Sequence, residues 1–376
     1  MQSIKSAKFT FRGSFLFYFL VAFEFFYMAS PFAVYFYSVY KPALNFFNQS
    51  PLLSWLIQFF LPHAVRETSS SLVNAHNIIG GILALLGFIG FLVGAVHVYY
   101  YKLAKKGVVT GGIYNHIRHP QYASFIICSF GLLILWPRYI VLIMFITMLF
   151  VYYMLARAEE RECEAKFGSS YSEYRNRTGM FLPFRIPFSM NIRQRTATRQ
   201  SRFILPLLTY LAALLIGILL VSAVQKLTIN SLYAVYSSDS ATISINTTDT
   251  AILDQVLETA LSDERVQTRI QQDHPAKLLN YVLPTTWFAA EIPMNGVKYR
   301  AGHKSPADYD HNLYKIIFTK ATMRSGGNVE GKDILTQVSE RKGIVEVWVD
   351  LAKGTVTQIL ELPKSVKYGN IPVAVY

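Results

Sequence analysis

Residues 108–184 decide how this chain is read. They run Val108-Val109-Thr110-Gly111-Gly112-Ile113-Tyr114, then Arg118-His119-Pro120-Gln121-Tyr122. An apolar stretch follows and turns at Trp136-Pro137-Arg138. It leads into Arg157-Ala158-Glu159-Glu160 and then Phe167-Gly168-Ser169-Ser170-Tyr171-Ser172-Glu173-Tyr174. Two dense polar clusters thus bracket two hydrophobic segments, Tyr122–Trp136 and Tyr139–Ala156. A helical hairpin that enters and leaves a membrane returns both clusters to one face, although about forty residues separate them in sequence. At 1.5 Å per residue the first arm reaches only about 22 Å, short of the roughly 30 Å hydrocarbon core. It is expected to tilt little, to thin the bilayer locally, or to turn before the far headgroups. The arrangement predicts a polar pocket at the lipid boundary, with the rest of the chain as its housing.

Outward from the hairpin, Asn77–Tyr101 is apolar and rich in glycine (Gly80, Gly81, Gly87, Gly90, Gly94). Small residues at such spacing let helices approach closely in lipid. His97, near its end, reads as a packed, hydrogen-bonded histidine. Further back, Lys5, Lys8 and Arg12 precede Ser14–Tyr40, an almost unbroken apolar run of 27 residues. A signal-peptide core is only about 7–15 residues long, so this run reads as a retained span. Glu24 inside it either faces a helix bundle as a functional group or pairs with a neighbouring helix. Pro51–Leu61 is apolar but too short to span, and reads as re-entrant or interfacial. Phe203–Val224 is the last span. The membrane spans are thus 14–40, 77–101, 122–136, 139–156 and 203–224.

Hydrophobic residues make up 52% and charged ones 16%, below the roughly 25% charged residues of ordinary soluble chains. The charge is unevenly placed. Of 36 Lys and Arg and 23 Asp and Glu, 16 of each fall after residue 224, leaving 20 basic and 7 acidic groups before it. That basic excess lies in loops between apolar runs, which argues for membrane orientation rather than nucleic acid. The N-terminus, the 102–121 loop and the 157–202 stretch hold 17 Lys and Arg, against Lys41, Arg66 and Arg138 on the other side. The positive-inside rule places the N-terminus and both polar clusters in the cytoplasm, and residues 225–376 outside. Arg193–Arg202 is a basic linker suited to anionic headgroups. With only Cys128 and Cys163, no disulfide framework is implied.

Residues 225–376 read as a small α+β module. Thr250–Gln272 is predicted to be one helix, with Ile252, Val256, Leu257 and Leu261 on one stripe. Tyr314–Thr322 and Ile344–Asp350 are predicted strands, and Val345, Val347 and Val349 share a face of the second. Leu351-Ala352-Lys353-Gly354 turns the chain into Thr355–Leu362, closing a hairpin. The expected architecture is an α-helical polytopic membrane protein of about five membrane helices, including a helical hairpin, with a C-terminal extracytoplasmic α+β domain. The boundary is drawn between 1–224 and 225–376. The outer domain is a possible surface for a protein partner.

Taken alone, Arg118-His119-Pro120 simply begins a helix, since proline suits the first turn, and Glu159–Glu164 is an ordinary charged helix. Together, however, the order Gly-x-Tyr, Arg-His-Pro-x-Tyr, hairpin, Glu-Glu, Phe-Gly-x-x-Tyr-x-x-Tyr resembles the membrane methyltransferases that include isoprenylcysteine carboxyl methyltransferases and phospholipid N-methyltransferases. The resemblance covers roughly residues 85–187. It implies S-adenosylmethionine as cofactor at the cytoplasmic mouth of the hairpin. By that resemblance Gly112, Tyr114, His119, Pro120 and Tyr122 line the adenosine and methionine parts, and Glu159 or Glu160 holds the cofactor's amino group. Arg118 or Arg157 grips a carboxylate, and Arg118, Arg157 and Glu160 are the candidate catalytic set. Many relatives have glycine where this chain has Ser124, which leaves substrate access open.

Methyl transfer from a sulfonium needs alignment and a pocket poor in water rather than a covalent intermediate. A lipid or lipophilic small molecule is the expected acceptor, entering from the bilayer. An amine acceptor must arrive neutral, and His119 or Glu160 is placed to take its proton. Phe167-Gly168 fits a helix end, and Tyr171 and Tyr174 read as interfacial anchors. His116 and His119 lie three apart, but no further ligand completes a zinc set, so no metal is expected. His303, Asp308, Asp310 and His311 read as a solvated loop. Two rivals stand beside the methyltransferase reading. One is a sterol-reductase-like NADPH oxidoreductase, whose relatives tend to carry Asn-Tyr-x-Gly where this chain has Gln121-Tyr122-Ala123-Ser124. The other is a non-catalytic anchor that presents the outer module.

Overall fold

Glycine placement builds the first unit. The computed structural model describes residues 42, 44–50, 52–104, 109–183, 201–289, 291–295, 308–324, 328–363 and 375–376. Helix α1 (His76–Leu103) and helix α2 (Pro120–Leu135) pack along their length. At Gly87 a Cβ would stand 2.3 Å from the Cys128 backbone nitrogen, and at Gly131 one would stand 2.3 Å from that of Ala84. The two backbones are therefore in direct contact, a seam that only residues without a side chain permit. Gly81 faces open space.

The chain turns at Trp136-Pro137-Arg138 into α3 (Tyr139–Phe167), which ends ahead of Gly168 and is followed by α4 (Ser169–Arg177). Instead of stopping at Ala156, α3 continues unbroken, so Arg157, Glu159 and Glu160 are helical residues. Glu164 accepts from Ser172 Oγ at 3.1 Å and Arg175 Nη1 at 2.8 Å, which pins α4 back against α3. Helix α5 (Ser201–Asn230) docks on α3 where Thr147 and Tyr210 hydroxyls meet at 2.8 Å and Gly217 admits the end of Ile146. Among the described residues, three helices are long and apolar enough to cross a membrane: His76–Val98, Tyr139–Phe167 and Ile204–Asn230. The 16-residue α2 is the short apolar arm that its composition predicts. The expected span 14–40 with Glu24, most of the basic linker 193–202, and His303 lie outside the described residues.

The second unit is a six-stranded sheet in the order β1 (Ala234–Tyr236), β2 (Ser240–Ser244), β3 (Leu278–Pro284), β4 (Leu313–Met323), β5 (Val338–Asp350), β6 (Thr355–Glu361). Neighbours are antiparallel except β2 and β3, which are parallel. Parallel strands need a crossover, supplied here by α6 (Thr250–Leu261) and α7 (Glu264–Gln272). The helix expected over Thr250–Gln272 is thus two. Asp263 caps the second by accepting from Arg265 N at 2.9 Å, a local bond that competes with continuing the first. The buried stripe of the first is Leu253, Val256 and Ala260, with Ile252 and Leu257 at its margin. These pack on Val345, Val347 and Val349, which share a face as expected.

The opposite face of the sheet is covered by Trp287, Ile292, Ile334 and Leu335, joined by Val65 and Tyr376. Val65 lies four residues beyond Pro51–Leu61, the stretch whose composition reads as re-entrant or interfacial. In the structure Ser54–Ile57 makes a 3-10 turn, and the chain beyond it is tied to the sheet unit. Thr228 Oγ1 donates to Phe60 O at 3.0 Å, Ala64 N to Tyr376 O at 3.1 Å, and Arg66 N to Ile245 O at 2.8 Å. Phe59, Phe60 and Val65 are buried, and these backbone groups find their partners in the module rather than in water. The compact unit built on the sheet therefore takes in residues from 44 to 75 as well as 221–376.

Candidate functional site

The two polar clusters meet at the open end of the hairpin. His119 is the N-cap of α2, with Pro120 in its first turn, and Glu159 and Glu160 sit on the last turns of α3. Arg118 Nε donates to Glu160 Oε1 at 2.6 Å. His119 Nδ1 is 3.4 Å from Glu159 Oε2 and its Nε2 is 3.6 Å from Glu160 Oε1. Tyr122, one turn into α2, donates to Glu159 Oε1 at 2.5 Å. Its ring lies between those of His119 (5.6 Å, 6°) and Tyr152 (4.9 Å, 15°), so three flat rings line the gap between α2 and α3.

A second layer holds the loop before α2 in place. Ile117 bridges Gly179, Arg118 N donates to Gly179 O at 2.9 Å, and His119 N donates to Met180 O at 3.1 Å. Arg118 Nη1 donates to Arg175 O at 2.9 Å and to Thr178 O, so its guanidinium also closes the C-terminal end of α4, where free carbonyls favour a cation. Tyr174 Oη donates to Tyr114 O at 2.7 Å. Tyr114 is itself buried, its ring stacked on His97 at 6.1 Å. Gly112 has φ +62, and a Cβ there would lie 3.1 Å from His97 Cε1, so both backbone and neighbour require glycine.

The residues singled out from sequence therefore fall into three positions. Arg118, His119, Tyr122, Glu159 and Glu160 converge, with Arg157 Nη1 3.9 Å from Glu160 Oε2 at the rim. Pro120 is buried at the start of α2. Gly112 and Tyr114 belong to the packed layer beside His97. The two arginines differ in freedom: Arg118 is engaged by Glu160 and two carbonyls, whereas Arg157 is half exposed. Tyr152, His97, Thr178 and the Gly179–Met180 backbone were not singled out for this site. Tyr152 sits in an apolar helix without a polar neighbour in sequence, and the 116–119 pairing with 178–180 leaves no local pattern. Only the phase of Tyr152 along α3, two turns before Glu159, points toward it.

The cluster is charged and largely shielded. Glu160 is 2% exposed, and its Oε2, like His119 Nε2, is buried with no hydrogen-bond partner among the described residues. Burial by itself lowers the His119 pKa, but its interactions with Glu159 and Glu160 outweigh that and raise it above the ordinary histidine value. What the rim offers is an anionic oxygen and a histidine nitrogen left unmade, beside a flat aromatic wall and a mobile-length cation, Arg157. Unmade bonds on buried charged groups are costly, and such sites are where ligands are found. No curated protein sequence and no solved structure matches this chain. Residues 78–170, which hold most of α1, the loop to α2 and the hairpin through Glu160, match the family model described as Phospholipid methyltransferase, about a quarter of the chain.

Proposed function

We propose that this rim binds S-adenosylmethionine and directs methyl transfer to a lipophilic or lipid-linked acceptor. The observation that carries the reading is the meeting of Arg118-His119 with Glu159-Glu160 across the hairpin, with Glu160 Oε2 buried and without a hydrogen bond among the described residues. That donor set fits the group. Glu160 Oε2 would accept from the cofactor's ammonium, Arg157 would hold its carboxylate with paired hydrogen bonds, and the His119–Tyr122–Tyr152 stack offers flat faces for an aromatic base. When bound, S-adenosylmethionine supplies an electrophilic methyl group on a sulfonium.

The remaining tasks fall to the chain. Arg118 holds Glu160 in place from the side away from the pocket, so the carboxylate is oriented before any ligand arrives. Tyr122 does the same for Glu159. The α1–α2 seam and the buried Tyr114 layer exclude water behind the rim, which strengthens every charge interaction within it. For an amine acceptor, Glu159, half exposed and beside His119, is placed to take the proton. For a carboxylate acceptor no proton need move. The basic excess around this rim supports a cytoplasmic position for it and an external one for residues 225–376.

The test is calorimetric titration of the purified protein with S-adenosylmethionine, together with transfer of a labelled methyl group to extracted lipids. Binding that disappears in Glu160→Ala and His119→Ala, with methyl label appearing in a lipid, is the expected result. Binding of NADPH without S-adenosylmethionine, or unchanged binding in both variants, overturns the reading.

A further inference from the structure

Most of the sheet unit keeps its large apolar side chains inside. Among its described residues six stand exposed: Phe46, Leu52, Trp55, Leu72, Leu227 and Leu261. Single exposed apolar residues are ordinary, and Leu261, at the end of α6, is one. The other five fall in residues 44–75 and in the last turns of α5. Leu52 is 82% exposed and Phe46 63%, far more than the margin of a core allows.

The stretch that carries three of them is apolar on two sides. Ile57, Phe59, Phe60 and Leu61 are buried, whereas Phe46, Leu52 and Trp55 are exposed. From Pro42 to Pro62 the chain has no Lys, Arg, Asp or Glu, although residues 225–376 hold 16 basic and 16 acidic groups. A surface built for water would interrupt such a run with charge, and a core would cover it. Exposed apolar groups that cluster in this way mark a contact with protein or membrane. Tryptophan beside uncharged amides and hydroxyls suits the membrane boundary, where one end of the ring is apolar and the other wet.

The end of α5 fixes the depth. Gln225 Nε2 donates to Phe59 O at 2.9 Å, Thr228 Oγ1 to Phe60 O at 3.0 Å, and Ser69 N to Ser231 O at 2.8 Å. Gln225, Thr228 and Ser231 follow at intervals of three, along one side of the helix end. The apolar run of α5 stops at Val224, and Thr228 lies about 6 Å further along the axis. A headgroup layer is roughly 5–7 Å deep on each side of the hydrocarbon. With α5 across a membrane, Phe59 and Phe60 therefore sit at headgroup level, and Trp55 is four residues before Phe59. Leu72 stands four residues before His76, where the apolar helix α1 begins. We propose that Phe46, Leu52 and Trp55 seat the sheet unit on the bilayer. Their side chains enter the headgroup and upper acyl region of the leaflet at the C-terminal end of α5. This surface takes no part in methyl transfer and does not depend on that reading.

Quenching of Trp55 emission in the full chain tests this. The protein is reconstituted at one copy per nanodisc in phosphatidylcholine with bromine near the head of its acyl chains, with bromine near their ends, or with none. Trp55→Phe keeps an aromatic ring at the position and gives the Trp55 contribution by difference from the parent in each lipid. Loss of most of that emission in the head-brominated bilayer, and of less in the end-brominated one, is the expected result. Equal emission in all three bilayers overturns the proposal, because the face is then open to water or covered by another segment of the chain. Stronger quenching by the end-brominated lipid also overturns it, since the stretch would then run deep into the bilayer. Trp55 emission protected from bromine when two copies share a disc would assign the face to a second copy instead of lipid.

Discussion

Glu160 is the residue on which the rim depends, because it is oriented from one side and unmade on the other. Glu160→Gln keeps the shape but removes the charge that Arg118 and His119 face. A hydrogen bond to a charged group contributes about 1.5–3 kcal/mol, so S-adenosylmethionine affinity should fall roughly 10- to 150-fold, read by calorimetry. The arginines should separate by kind of damage. Arg118→Lys breaks contacts to Glu160 and two carbonyls, and should lower the thermal midpoint along with affinity. Arg157→Lys, at the exposed rim, should weaken cofactor binding without moving the midpoint, and a reversed pattern would reassign the two. His119 supplies a pH prediction. Its raised pKa means that a proton there steadies the two carboxylates of the empty rim, an effect fully present below the ordinary histidine value and lost as pH rises through the raised one. A cationic ligand competes with that proton, so affinity should strengthen as pH climbs through the raised value and then level off. In His119→Gln the profile should be flat, and a flat profile in the parent would sink the idea. At this scale the sequence was informative: the charged residues stood out against apolar flanks. It did not separate Arg118 from Arg157, since their difference in burial comes from Arg175 and Thr178, about sixty residues from Arg118.

At the scale of elements, the glycine seam does for α1 and α2 what side-chain interlocking does elsewhere. Five glycines in α1 were readable as a close-approach face, yet they are not equivalent. Gly87→Val would drive carbon into the backbone of Ser124 and Cys128, which cannot yield, whereas Gly81→Val meets open space. Overpacking typically costs about 1–3 kcal/mol and occasionally more. Gly87→Val should therefore lower the thermal midpoint in detergent and abolish methyl transfer by displacing His119 at the head of α2, while Gly81→Val stays near the parent on both. Equal damage from the two would mean that the seam is not what positions the rim. Which glycines face α2 was not legible, because the phase between two helices is fixed by packing and not by composition. The break at Ser262-Asp263 escaped notice for a related reason. Apolar periodicity carries on across it, and only the capping bond from Asp263 to Arg265 N stops the helix. Strands β4 and β5 were easier, since alternation against a two-sided core is a strong local signal.

For the whole molecule, the least legible feature is that residues 44–75 fold with a sheet nearly two hundred positions later. Nothing local announces it. Ile57, Phe59 and Phe60 look like a membrane-surface stretch, and the ties that hold them and the residues that follow run largely through backbone carbonyls of Phe60, Ile245 and Tyr376. The consequence can be tested by how the sheet unit is removed. Deleting 231–376 alone would strip Val65 of its sheet partners, free the backbone of Ala64 and Arg66, and leave Arg66 without Glu291, its partner at 3.2 Å. Exposed apolar surface of that kind drives association. Replacing 44–75 with a flexible linker in the same deletion removes the exposed stretch as well. The first variant should aggregate on size-exclusion chromatography, and the second should run as a single species. If the second also retains S-adenosylmethionine binding, the hairpin domain is self-sufficient for the cofactor and the sheet unit serves another purpose. Identical behaviour of the two deletions would show instead that the 44–75 stretch is held by something other than the sheet.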